Sequence, residues 1–172
     1  MEKLTYKNIT IRQAVASDAG QLAAWWNDGA VMAHAGFPEG LGTTEEEVVA
    51  GLHPGSLMIE ENGHPIGECN YRRVGEKTAE IGIKICVTDC QNRGVGRIVL
   101  SVLIRWLFEG GYTKIVLDAN LINRRAQHVY ESLGFRKLRT NIDSWTDQLG
   151  RLQSSVDYEL TEANFVDFAG IR

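Results

Sequence analysis

The sequence has no internal repeat, no low-complexity tract and no Pro/Ser-rich linker, and only three prolines in 172 residues. These absences exclude solenoid arrays and strings of small modules. A single domain over residues 1–172 is the expected organisation, and that length buries a core without covalent staples. Cysteine is scarce too. Cys69, Cys86 and Cys90 are odd in number and lack zinc-like pairing, so they read as free thiols and no metal is expected. Basic charge is not in excess, with 18 Lys and Arg against 22 Asp and Glu and a net charge of −4. That balance speaks against a broad nucleic-acid surface, for which only Arg72-Arg73 and Arg124-Arg125 argue, and mildly favours a cationic substrate. Long hydrophobic runs are missing as well. The longest, residues 98–108, is broken by Ser101 and Arg105 and is too short to cross a bilayer. The opening MEKLTYKNITIRQ has no apolar stretch of the secretory type. A soluble, cytoplasmic protein with no membrane partner is the expectation.

What the sequence does carry is periodicity. Residues 8–14 (NITIRQA) alternate like a first strand, and Ser17-Asp18 offers an N-cap for a helix running to Trp25-Trp26-Asn27. Residues 29–42 (GAVMAHAGFPEGLG) suit a shaped loop. Thr43-Thr44-Glu45-Glu46-Glu47 is a capping-box pattern ahead of a short helix reaching Leu52. SLMIEENGHPIGECNYRRV reads as a hairpin about Asn62-Gly63, a pair able to take the positive φ of a type I′ turn. In residues 80–87, Ile81, Ile83, Ile85 and Val87 alternate with Glu80, Gly82, Lys84 and Cys86.

The helix that follows sets Arg97, Ser101, Arg105 and Glu109 four apart. That spacing predicts a thin solvent-facing stripe on an otherwise buried rod, ended by Gly110-Gly111. TKIVLDA (113–119) is a compact strand, so strand–helix–strand implies a right-handed parallel crossover. Residues 123–133 form a further helix with Ala126, Val129, Tyr130 and Leu133 on one face and Gly134 at its end. Two alternating runs, 135–144 and 151–160, make a closing hairpin, and the final TEANFVDFAGIR has no evident place. The fold class is α/β (α+β): a mixed, mostly antiparallel sheet with flanking helices.

Between the strand and the long helix lies CQNRGVGR (90–97). A helix start leaves its first N–H groups without intrahelical acceptors, and the macrodipole adds partial positive charge there. Gly94 and Gly96 let a bulky anion approach the backbone, and Arg93 and Arg97 add formal charge. A phosphate or pyrophosphate fits this chemistry. The dinucleotide pattern GxGxxG fails at Val99, and a P-loop fails at Arg97-Ile98, so neither describes it.

Gln91-x-x-Gly94-x-Gly96 after the strand EIGIKICV resembles the cofactor-binding motif of the GNAT acyltransferase superfamily. The later block Asn123-Arg124-Arg125-Ala126, then Tyr130, then Leu133-Gly134-Phe135 is similar to that family's next helix. The two blocks are separated by one helix and one strand, as in the family, and the likeness covers nearly the whole chain. It implies that acetyl-CoA is the co-substrate. Backbone amides of Gln91, Asn92, Arg93, Gly94, Val95 and Gly96, with Arg97, are then expected to cradle its pyrophosphate. The edge of the strand at residues 84–88 is expected to pair with the pantetheine, and an amide near Cys86, Val87 or Thr88 to polarise the thioester carbonyl. Asn123 and Ala126 are placed to touch the cofactor from the other side.

Tyr130 shares a helix face with Asn123 and is the expected acid for the departing thiolate. Glu80 is the expected base, with Glu68 as the second candidate. Cys86 has no histidine partner that would make it a nucleophile. For the acceptor amine, the resemblance directs attention to Trp25, Trp26 and Asp28 and to the loop around His34, Phe37 and Glu39, where aromatic faces and carboxylates suit a cation. The family branch it loosely resembles holds ribosomal-protein N-terminal acetyltransferases and aminoglycoside 6′-N-acetyltransferases. The activity implied is direct transfer of acetyl to a primary amine of a small molecule or peptide N-terminus. The alternative is a non-catalytic acyl-CoA-binding sensor or scaffold. A homodimer through the closing hairpin is a further expectation.

Overall fold

The computed structural model describes residues 1–170. Its eight strands form one sheet: β1 (Leu4–Tyr6), β2 (Ile9–Gln13), β3 (Ser56–Glu61), β4 (His64–Gly75), β5 (Thr78–Ile85), β6 (Lys114–Asn120), β7 (Arg136–Thr146) and β8 (Leu152–Thr161). The spatial order is β1-β2-β3-β4-β5-β6-β8-β7. All neighbours are antiparallel except β5 and β6. The mixed, mostly antiparallel sheet expected from the sequence is the observed one. The β3–β4 turn has Asn62 at φ 52° and Gly63 at φ 78°, as a type I′ turn requires.

Alternating strand residues divide between two cores. Leu57 and Ile59 join Ile9, Ile11, Ala79 and Ile81 on the face covered by α4 (Val95–Glu109) and α5 (Arg124–Ser132). Met58 points the other way, to α1 (Ala19–Trp26) and α3 (Glu45–Gly51). Val99, Leu100, Leu103, Ile104 and Leu107 of α4 have no exposed surface, so this helix is the spine of the larger core. Thr44 caps α3 by accepting from the Glu47 amide at 3.2 Å, while Glu47 accepts from the Thr44 amide at 2.9 Å.

Four expectations need correction. Residues 29–42 are not all loop: α2 (Gly29–Met32) and a 3-10 turn (Ala33–Ala35) precede the left-handed Gly36, Gly40 and Gly42. Asp18 makes no capping bond to α1. Of the stripe on α4 only Glu109 is exposed. Ser101 is fully buried and accepts from the Phe168 amide at 3.0 Å, and Arg105 pairs with Asp167. The polar spacing was therefore a seat for the chain end, most of the segment that the sequence left unplaced; its last two residues lie outside the described ones. Finally, the run expected to stay extended to Val87 ends as β5 at Ile85, where Cys86 and Val87 both turn their amides onto the Ile66 carbonyl at 2.8 and 3.1 Å.

Asp18 instead anchors the α1 side of the molecule. Its carboxylate accepts two bonds from Arg12 of β2, each 2.8 Å, and one from the Val15 amide at 2.8 Å, while Arg12 Nε reaches Glu60 of β3 at 2.7 Å. The Arg12 guanidinium holds the Asp18 carboxyl below the usual aspartate range. A depressed folded-state value contributes stability that is present above the ordinary range and is lost as pH falls through the depressed value. Asp18→Asn is predicted to cost about 1.5–3 kcal/mol at neutral pH, the worth of bonds to a charged group. Urea unfolding at pH 7 and again at pH 3 checks this: the gap between variant and wild type narrows in acid.

Candidate active site

The site begins where the sheet comes apart. β5 and β6 are paired only at Thr78↔Lys114, Ala79↔Ile115 and Glu80↔Val116. Beyond that rung, residues 81–85 of β5 and 117–120 of β6 run on without bonds to each other, although β4 and β8 hold their outer edges. The result is a slot whose two strand edges are not paired with each other, a template for an extended ligand that brings its own amides. At the tips, the carbonyls of Ile85 and Asn120 are taken, by Gln91 and by Asn123 and Gln127 respectively.

The slot leads into the glycine turn. Asn92 is left-handed at φ 57° and Gly94 at φ 79°, and the first bond of the α4 ladder runs from the Ile98 amide to the Gly94 carbonyl at 3.3 Å. Earlier amides therefore have no acceptor one helical turn back. A Cβ built at Gly96 meets nothing within 4 Å, and one at Gly94 meets only the Arg97 guanidinium at 3.8 Å. The amide of Gln91 donates to Thr88 at 3.0 Å, so the free series starts at Asn92, one residue later than expected. The Gln91 side chain donates to the Ile85 carbonyl at 2.8 Å and ties the turn to the end of β5.

Charge surrounds this open backbone. Arg97 lies over the Phe168 ring at 4.9 Å, and Arg93 reaches Glu61 at 3.2 Å. Arg125 bonds the side-chain oxygens of Gln91 at 3.2 Å and Asn92 at 3.3 Å. Arg125 was not among the expected site residues. Its signal in the sequence was its place in Asn-Arg-Arg-Ala, on the helix facing the turn. The donor set, with accessible amides, a helix N-terminus and guanidinium groups, fits a polyanion such as a pyrophosphate.

Asn123 caps α5, its Oδ1 accepting from the Ala126 amide at 3.2 Å. Two turns on, Tyr130 is buried, edge-on to Phe135 and Tyr158 with ring centres 6.0 Å away. Its hydroxyl has no hydrogen-bond partner among the described residues, and no side-chain oxygen there is both sealed and unpaired, so the hydroxyl keeps access to solvent. Burial, then the nearby Asp118 carboxylate, pushes the phenol up to about 12. It is a protonated donor across the neutral range. The Cys86 thiol is likewise pushed up to about 12, by burial and then by Glu68, which leaves it a poor nucleophile. The amides of Cys86 and Val87, expected to be free to polarise a carbonyl, are instead both bound to Ile66.

On the other face of the sheet a cavity of about 280 Å³ opens beneath α1. Leu22, Trp26 and Met32 give it apolar walls, and Glu68 and Lys84 lie in its lining. Glu68 is 8% exposed; its Oε1 accepts from Trp26 Nε1 at 3.1 Å and from Lys84 Nζ at 3.4 Å. Both contacts use one oxygen. Oε2 has no partner among the described residues and is not sealed.

The structure thus brings Trp26 and Glu68 together but not the other expected acceptor residues. Trp25 is buried in the α1–α3 core, Asp28 caps α2 by accepting from the Ala30 amide at 2.8 Å, and His34 is exposed away from the cavity. Adjacent tryptophans point a hundred degrees apart on a helix, and here Trp26 lines the cavity while Trp25 does not. Lys84, His53 and Asn70 line it unforeseen. For Lys84 the signal was hairpin register, since it stands directly across from Glu68. Glu80, at the last parallel rung, is held by Arg72 through both carboxylate oxygens at 3.0 and 2.9 Å.

Residues 25–135 match the acetyltransferase (GNAT) family. The chain belongs to that family. Among solved structures, the GNAT-family acetyltransferase from Bacillus anthracis superposes with a TM-score of 0.81 at 19% identity, covering 94% of this chain and 99% of that one. Spermidine N-acetyltransferase from Vibrio cholerae, in complex with CoA and spermine, gives 0.80 at 19% identity over 92% and 98%. A ribosomal-protein alpha-N-acetyltransferase in complex with coenzyme A gives 0.82 at 15% over 93% and 98%. At these identities the likeness is one of fold. An uncharacterized protein of Methanocaldococcus jannaschii is 30% identical over 88 residues, 48% of this chain, but the match takes in only 18% of that relative's own length. Among the described residues no helix is long and apolar enough to cross a membrane, and no cluster of potential metal ligands occurs.

The open space at Gly96 gives a test of the anion cradle that leaves the fold intact. Glu is a better helix former than Gly, so Gly96→Glu is predicted to unfold at the wild-type temperature or above. Its carboxylate enters the cradle, and the thermal shift given by CoA disappears. Differential scanning with and without CoA reads both quantities.

Proposed function

We propose that this chain is an acetyl-CoA-dependent N-acetyltransferase that passes the acetyl group directly to a primary amine. The observation that carries the reading is the slot: two strands that part after three rungs, with their free edges leading into a glycine turn of unpaired amides. Residues 92–97, with Arg97 and Arg125, hold the pyrophosphate; the edge of β5 beyond Ile81 binds the pantetheine arm. When bound, acetyl-CoA supplies an acyl carbon joined to a thiol leaving group.

The side chains around the slot move the protons. The amine enters from the cavity beside Glu68, whose Oε2 is free to take its proton or orient its lone pair. Glu80 is the second carboxylate on that face, but Arg72 engages both its oxygens, so neither is unpartnered as Glu68 Oε2 is. Tyr130 donates from the opposite side, its hydroxyl protonated and unpartnered, and returns a proton to the sulfur as the carbon–sulfur bond gives way to the carbon–nitrogen bond. The cavity's apolar walls and single Glu68–Lys84 pair suit a small amine with apolar surface beside its amino group. Cytoplasmic residence accords with three free, buried cysteines.

Release of free thiol from acetyl-CoA, across a panel of amino acids, peptide N-termini, polyamines and aminoglycosides, tests the activity. Tyr130→Phe removes a hydroxyl that bonds nothing in the fold, so stability should hold while kcat falls about a hundredfold or more, the usual worth of a general acid. Because the phenol lies near 12, wild-type kcat should show no alkaline decline from this group below pH 11. CoA binding with no turnover on any amine, and Tyr130→Phe indistinguishable from wild type, would instead support a sensor or scaffold.

A further inference from the structure

The chain end is seated on α4 at three points one helical turn apart. Arg105 pairs with Asp167, Ser101 Oγ accepts from the Phe168 amide at 3.0 Å, and the Arg97 guanidinium lies 4.9 Å from the centre of the Phe168 ring. The seat is fixed from both sides. The Val166 amide donates to the Leu133 carbonyl at 2.9 Å, Ala169 is fully buried, and its amide donates to Asp167 at 2.8 Å. Phe168 itself is 39% exposed, an apolar ring left in solvent by a segment that is otherwise pinned. What it lies against is the guanidinium, whose Nη2 is 3.8 Å from the Cβ position of Gly94, at the turn with the unpaired amides.

We propose that Phe168 is a positioning residue for cofactor binding: its ring holds the Arg97 guanidinium against the Gly94 turn, so that the charge is in place before the pyrophosphate arrives. The inference rests on the acetyl-CoA reading given above. A free arginine side chain has many rotamers, and ordering it on binding weakens affinity. A ring stacked on one face of the guanidinium removes most of that freedom while leaving the N–H edge open to an anion. Ser101 and Asp167 set the ring's register along the helix, which explains why a serine is fully buried in the middle of α4.

The test is CoA binding by calorimetry in wild type, Phe168→Leu, Phe168→Trp, Arg97→Ala, the double variant Arg97→Ala with Phe168→Leu, and Gly96→Glu. Phe168→Leu keeps the apolar bulk and loses the aromatic face, so the dissociation constant should rise about three- to tenfold, the range of a cation–π contact. Phe168→Trp should bind like wild type, and the double variant no more weakly than Arg97→Ala alone. In turnover the same Phe168→Leu change should raise KM for acetyl-CoA and leave kcat within about twofold, since it acts on ground-state binding. If Phe168→Leu binds CoA like wild type while Gly96→Glu does not, the positioning role is overturned and the cradle stands. Additive losses in the double variant overturn it too, because the ring would then act apart from Arg97. A wild type that binds no CoA overturns both readings at once.

Discussion

The parallel join between β5 and β6 is only three pairs long, from Thr78↔Lys114 to Glu80↔Val116, and the organisation of the molecule turns on that brevity. Leaving strand edges unpaired inside a sheet is costly unless water or a ligand takes their place. Here the opening persists because each strand is secured on its far side, β5 along β4 and β6 along β8. The sheet is continuous around the gap, so the gap cannot close without tearing better-paired strands. Gln91 reinforces the arrangement by drawing the glycine turn onto the Ile85 carbonyl at the tip of β5. An opening with rigid sides is what an extended ligand needs if it is to bind without ordering the protein first.

α4 links the gap to everything else. Its first turn supplies the free amides, and its middle fills the larger core with Val99, Leu100, Leu103 and Ile104. Its polar side receives the chain end through Ser101 and Arg105. The helix cannot shift along its axis to suit a ligand without disturbing close-packed neighbours. The glycine turn is therefore as rigid as the core beneath it, and side chains from distant segments meet around it: Arg125 of α5 bonds Gln91, and the Phe168 ring lies beside Arg97.

Much of this could be read in the sequence, for a physical reason. Positive φ, a helix start and alternating strands leave local marks, so the Asn62-Gly63 turn, the Gly94 turn, the parallel crossover and the Ala126–Leu133 face were all legible. What escaped was set by tertiary placement. Serine and arginine four apart on α4 look the same whether they face water or a docked chain end. Trp25 and Trp26 are identical in composition, yet one enters the core and the other donates to Glu68. The double use of the Ile66 carbonyl by Cys86 and Val87 depends on how β4 meets the end of β5, which no window within β5 records.

The same distinction separates the two halves of the site. The glycine turn presents mainly backbone, so most side-chain changes around it leave its donors in place; Gly94 and Gly96 are the exceptions because a side chain there would stand in the open space beside those amides. The cavity beneath α1 is lined by side chains that meet across a hairpin. Glu68 and Lys84 face each other because β4 and β5 are paired in one register. A slip of β5 by a single residue would turn Lys84 to the opposite face of the sheet and leave Glu68 without its cross-strand partner. The Glu68–Lys84 pair is thus tied to strand register, and the Ile66 carbonyl, which takes the amides of both Cys86 and Val87, sits where that register ends.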